Sequence, residues 1–184
     1  MRRKMTREAA EYTSSLPFDS EIYRETILIN AVHLKMLCKL GYINKTDAEE
    51  ALKILKEMIE KPISLDNTSL EDVHIVIEDY LSRHVPNAGM NLALGKSRND
   101  AVSTAIRMRV KEKIVELVDE GVQFLDALLK KAEEEEFTIF PVYTHMQVAA
   151  PATFGFVMTS YASRIIGALE SLSNAYMSAD RCPL

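Results

Sequence analysis

Residues 110–132 read VKEKIVELVDEGVQFLDALLKKA. Val110, Ile114, Leu117, Gly121, Leu125, Leu128 and Ala132 recur at steps of three and four, and Val118, Val122 and Leu129 widen the stripe. That is the period of an α-helix with one broad apolar face. Carried upstream to Asn99 and downstream to Glu136, the helix would be ~55 Å long at the usual rise per residue. Such a face cannot be buried inside one small domain, so it calls for long neighbours, as in a bundle. A second long helix is expected from Thr153 to Asp180, striped by Phe154, Met158, Tyr161, Ile165, Ala168, Leu172, Tyr176 and Ala179. The two can form an intramolecular hairpin. Both are apolar over more than one face, however, which favours burial against other subunits.

Shorter helices precede this pair. Residues 1–18 read as extended or irregular. A helix is expected over Ser20–Leu40, with Tyr23, Ile27, Ala31, Leu34 and Leu37 on its face and Gly41 as the natural residue after its cap. Thr46-x-x-Glu49 fits a capping box for a helix to Glu60, stopped by Pro62. Thr68-x-x-Glu71 fits another, for a helix over Leu70–Arg83 closed by Pro86. Pro141–Pro151 reads as a loop, and no segment reads as a strand. The expected class is all-α: a small helical domain over residues 1–94, then the first part of a helical bundle over 95–184. Ending at Cys182-Pro183-Leu184, directly behind a long helix, the chain reads as one to which further bundle segments belong.

Composition narrows the function classes. The 184 residues are 47% hydrophobic, enough for a sizeable core. With 22 basic and 27 acidic residues the net charge is −5, so no basic field points to nucleic acid or an anionic membrane. The basic start Met1-Arg2-Arg3-Lys4 lacks the apolar run of a secretory signal. Cys38 and Cys182 lie far apart and form no metal-binding pattern. The chain reads as soluble and cytoplasmic. HExxH, CxxC, GxGxxG and P-loop patterns are absent, so metal and nucleotide have no support.

Two segments carry candidate chemistry. Gly95-Lys96-Ser97-Arg98-Asn99-Asp100 stands at the start of the long helix. A helix N-terminus offers unpaired N–H groups and positive potential, Arg98 adds a fork matched to a carboxylate, and Asn99 adds a donor and an acceptor. Ser97-x-x-Asp100 equally fits a capping box, which leaves Arg98 and Asn99 unexplained. Tyr143-Thr144-His145-Met146-Gln147 lies between the long helices, where His145 has the chemistry of a general acid or base. Of the other histidines, His33 reads as packing and His84 as a helix-end cation. His74 reads as capping, surface or functional, its tautomer set by Asp72 or Glu78. Ser14, Ser15 and Asp19 read as a cap cluster for the first helix.

Taken in order, Ser14-Ser15-Leu16-x-Phe18-Asp19, Glu71-Asp72-Val73-His74, Gly95–Asp100 and Tyr143–Gln147 resemble four blocks from the N-terminal part of the argininosuccinate lyase family, in the fumarase/aspartase superfamily. The counterparts there are the substrate loop, Glu-Asp-Ile-His, Gly-Arg-Ser-Arg-Asn-Asp and Tyr-Thr-His-Leu-Gln. The resemblance implies a carbon–nitrogen lyase of arginine biosynthesis that reversibly splits argininosuccinate into arginine and fumarate, with no metal or organic cofactor. It implies that His145 is the catalytic histidine, donating a proton or tuning the donor. Ser15, Arg98, Asn99 and Thr144 would bind substrate. Asp19 and His74 would support the site, with Ser97, Asp100 and Gln147 beside them. Homotetramers built on a central bundle are implied too, each site drawn from three subunits.

The chain departs from the family at several positions. Ala93-Leu94 stand where the family has His-Thr, Lys96 where it has Arg, Val142 where it has Gly and Ala150 where it has Gln. The family's Trp-Gly-Gly-Arg-Phe opening has no counterpart in residues 1–11. Its later Gly-Ser-Ser-x-Met-Pro-x-Lys-x-Asn loop, which carries the serine implied as base, has none either. The resemblance therefore implies two of the three site-forming blocks, with a C-terminal half as a partner. The alternatives are a non-catalytic truncated paralogue serving assembly or ligand binding, and a lyase with an altered amine or amidine substrate.

Overall fold

The computed structural model describes residues 7–65 and 70–183. In chain order they form α1 (Arg7–Thr13), α2 (Leu16–Asp19), a 3₁₀ turn (Ser20–Ile22), α3 (Tyr23–Lys39), α4 (Lys45–Glu60), α5 (Val73–His84), α6 (Pro86–Asn91), α7 (Arg98–Glu134), β1 (Ile139–Thr144), β2 (Gln147–Thr153) and α8 (Phe154–Ala179). The chain divides into two compact units, one running to Arg109 and the other covering Val110–Arg181. No helix among the described residues is long and apolar enough to cross a membrane.

In the first unit α3, α4, α5 and α6 close around Ile27, Leu34, Leu37, Ile43, Leu55, Met58, Ile77, Leu81 and Leu92, all fully buried. Helix α3 ends as expected. Gly41 takes φ +79, its N–H donates to the Cys38 carbonyl, and Tyr42 N–H donates to Leu37, so two orphan carbonyls of the last turn are satisfied.

Other boundaries moved, each for a local reason. Helix α4 is capped by Asn44, whose Oδ1 accepts from Asp47 N at 2.8 Å, and not by Thr46. Helix α5 begins at Val73, capped by Asp72 through Ile75 N at 2.8 Å. Thr68 of the expected capping box lies outside the described residues. Pro86 opens α6 instead of merely closing α5; at the first helical position its missing N–H costs nothing. The segment expected to be irregular over residues 1–18 contains α1 and α2, the latter carrying Pro17 in its first turn.

In the second unit α7 and α8 run antiparallel. Gly121 sits against Leu169, and Gly155 lies against the backbone of Ala132, Glu135 and Glu136. Space for no more than a hydrogen at Gly155 lets α8 start in contact with the end of α7. The packing buries Ile114, Ala132 and Ala162 and leaves Leu117, Phe124, Phe156 and Tyr161 at least half exposed.

The expected Pro141–Pro151 loop is instead an antiparallel hairpin. Thr144 pairs with Gln147, Pro141 with Pro151 and Ile139 with Thr153, with an irregularity at Val142/Tyr143. The two turn residues, His145 at φ +49 and Met146 at φ +62, both take left-handed backbone, the signature of a type I′ turn. Prolines are tolerated because each strand has only one neighbour.

Candidate active site

The Ser14–Asp19 segment is fastened to the start of α5. Ser15 N–H donates to the Glu71 carbonyl at 3.0 Å. Ser15 Oγ donates to Asp19 Oδ2 at 2.9 Å, and the same oxygen accepts from Val73 N at 2.9 Å. Asp19, only 7% exposed, thus places a carboxylate at the α5 N-terminus, where free N–H groups and the helix dipole favour it. The cluster was expected to cap the first helix, but neither Ser15 nor Asp19 caps its own helix through its side chain. Asp19 serves instead a helix 54 residues further along, a partner invisible to local reading.

Asp19→Ala should therefore strand the Val73 N–H and free the Ser15 hydroxyl. The expected cost is about 2 kcal/mol. Urea unfolding of the variant checks it; a midpoint equal to the wild type's would refute the fastening.

Asp72 divides its two oxygens. Oδ1 caps α5, and Oδ2 accepts from Arg98 Nη1 at 2.5 Å. Arg98 Nη2 reaches Glu78 Oε2 at 3.5 Å. Arg98 is the first residue of α7 and keeps about a third of its side chain in solvent. Its fork thus bridges two carboxylates of α5 and its cap. Asp72 and Glu78, the tautomer-setting partners expected for His74, are both engaged with this guanidinium. Asn99 is exposed and lines an open groove of about 470 Å³ with Val102, Ser103, Ile106 and Arg107. Ser97 precedes the helix and its carbonyl accepts from Ala101 N, while Asp100 sits in the first turn.

His74 is not a surface residue. It is 2% exposed, and its Nε2 has no hydrogen-bond partner. Burial pushes its pKa down to about 4; Asp72 and Asp19 oppose the shift, while Arg98 and Lys96 add to it. The ring is neutral at pH 7 and brings no second cation to the Arg98 cluster.

Ser15, Asp19, His74 and Arg98 therefore share one neighbourhood in the first unit. Thr144, His145 and Gln147 belong to the Val110–Arg181 unit, at the exposed tip of the hairpin. The strained turn backbone projects His145 and Met146 from the two strands, with Met146 97% exposed.

The lyase family model matches residues 3–181. The chain belongs to this lyase family. Two curated relatives bear the name argininosuccinate lyase. The protein from Methanosphaera stadtmanae is 34% identical over 183 residues, covering 98% of this chain. That from Methanocaldococcus jannaschii is 36% identical over 180 residues, covering 96% of it. The chain spans 39% and 37% of the length of those relatives. In the solved structure of a fumarate lyase:delta crystallin from Brucella melitensis the fold recurs with a TM-score of 0.79 at 15% identity, over 96% of this chain and 47% of that one. The fold is thus the helical one expected from the long stripes, and the β1–β2 hairpin is the departure from that expectation.

The partners of Arg98 were the part sequence reading missed. Asp72 and Glu78 are six residues apart on one helix and its cap, and nothing local ties them to position 98.

Proposed function

We propose that this lyase-family chain carries part of an argininosuccinate lyase active site. The observation that carries the reading is the Arg98 guanidinium at the head of α7, spread across Asp72 and Glu78 next to the Ser15–Asp19 fastening. It is supported by the names of relatives about one third identical.

In this reading a base takes the proton from the carbon beside a substrate carboxylate. The electron pair spreads onto that carboxylate, then forms the new carbon–carbon double bond as the carbon–nitrogen bond breaks. The guanidino nitrogen takes up a proton, giving arginine and fumarate. Arg98 and Asn99 hold a carboxylate whose charge grows in the transition state, so their donors act most strongly there. Ser15 and Thr144 complete substrate binding, His145 supplies or tunes the proton for the leaving nitrogen, and Asp19 and His74 hold the frame. Ser97, Asp100 and Gln147 support their neighbours. The base is assigned to no residue of this chain.

The exposed apolar residues Leu117, Phe124, Phe156 and Tyr161 on α7 and α8 support assembly of several copies through the long helices; the proposed arginine-biosynthetic role goes with a cytoplasmic location. Large apolar side chains left open by one chain are most simply covered by another.

The test is to combine the chain with the C-terminal portion of a relative, verify assembly, and compare wild type with His145→Asn. Fumarate release should fall by about 100-fold or more, the range for loss of a general acid, while argininosuccinate still binds. Full activity in the variant would remove His145 from the chemistry.

A further inference from the structure

Lys96 lies two residues ahead of Arg98, and its ammonium is turned inward. Nζ donates to Asn30 Oδ1 at 2.5 Å, across 66 residues of chain. Asn30 is 1% exposed. Taking a lysine out of water is costly, and burial lowers the affinity of this amine for its proton, with Glu78 opposing that shift.

The segment around Lys96 is held at several points. Gly95 takes φ +68, which turns the chain into α7. His33, one turn along α3 from Asn30, bonds the Leu94 carbonyl through Nε2 at 2.9 Å. A carbonyl only accepts, so that nitrogen carries the proton. Two residues on one face of α3 therefore grip Leu94 and Lys96, just before Arg98.

The charges in this cluster also need a second cation. Arg98 alone would face both Asp72 and Glu78, two carboxylates on one guanidinium. The charge of Glu78 favours the protonated form of Lys96, so the buried ammonium partly offsets that excess. We propose that Lys96, tied to Asn30, is the positioning residue that sets the Arg98 fork for a ligand carboxylate. The carboxylate half rests on the function proposed above; the setting of Arg98 stands without it.

The test uses the full 184-residue chain. The Arg98 Nε–H signal in NMR is identified by its disappearance in R98K. K96M should shift or broaden that signal and speed amide exchange over residues 94–101 about tenfold or more. K96R should restore both, and K35M, an exposed lysine on α3, should change neither. K96Q, which keeps a donor for Asn30 without the charge, replaces K96M should that variant not fold. An unmoved Arg98 signal in the folded variant overturns the proposal. In titrations with argininosuccinate, K96M should bind about tenfold more weakly and K96R as wild type. Equal affinity in K96M overturns the carboxylate half. Failure of the wild type to bind argininosuccinate brings down the lyase reading instead, and the Arg98 signal still decides Lys96.

Discussion

Arg98→Ala should raise the dissociation constant for argininosuccinate about 30-fold or more, the effect of deleting one partner of a hydrogen-bonded charge pair. The fork is already oriented by Asp72 at 2.5 Å and Glu78 at 3.5 Å, so little ordering is left for the ligand to drive. The same change leaves Asp72 and Glu78, both largely buried, without their cation. Because Arg98 is itself about one-third exposed, solvent screens the loss, and the stability cost should be only about 1–2 kcal/mol. Arg98→Lys separates the two effects. It keeps the charge, and so most of the stability, but one ammonium cannot span two carboxylates and a ligand. Calorimetric titration and urea unfolding of the three proteins check this. Wild-type affinity in Arg98→Ala would take Arg98 out of the site.

Acidification should cost about 3 kcal/mol through His74 alone between pH 7 and pH 4. The direction follows from where the proton binds. In the unfolded chain the imidazole takes a proton below its ordinary value of 6.5, whereas in the fold burial holds it unprotonated down to about 4. The unfolded state therefore binds more protons throughout that window, so stability falls as pH falls through it and flattens below about 4. His33 is lowered as well, by burial and by Lys96, and acts in the same sense. Denaturant unfolding at a series of pH values, for wild type and His74→Gln, isolates the larger contribution. The variant's slope between pH 6.5 and 4 should shrink markedly. Matching slopes would mean that His74 titrates normally in the fold.

What could be read from residues alone was what depends on period. The three-and-four spacing from Val110 to Ala132 and from Phe154 to Ala179 is set by helix geometry, and α7 and α8 end within two residues of the expected bounds. Gly41 was legible because few other residues accept φ +79 at a helix end. The hairpin was not, because Pro141 and Pro151 normally argue against a strand and His145-Met146 is an unusual pair for two left-handed turn positions. Asn44 displaced Thr46 as a cap since both residue types suit the position and only the chain path chooses.

The candidate site divides the same way. Ser15, His74 and Arg98 could be named from motifs. Their connections run over long separations, such as 54 residues from Asp19 to Val73 and 66 from Asn30 to Lys96. Those depend on how α3, α5 and the head of α7 pack, which no local pattern encodes. The neutral state of His74 likewise comes from burial, which Glu71-Asp72-Val73-His74 does not reveal.

The direct trial of the lyase reading is product formation. The chain spans less than two fifths of its curated relatives, so it should be assembled with the C-terminal portion of one of them, assembly being verified by sedimentation, and supplied with argininosuccinate. Arginine and fumarate should appear in equal amounts, and Arg98→Ala should suppress both. An assembled complex that leaves argininosuccinate intact would contradict the reading.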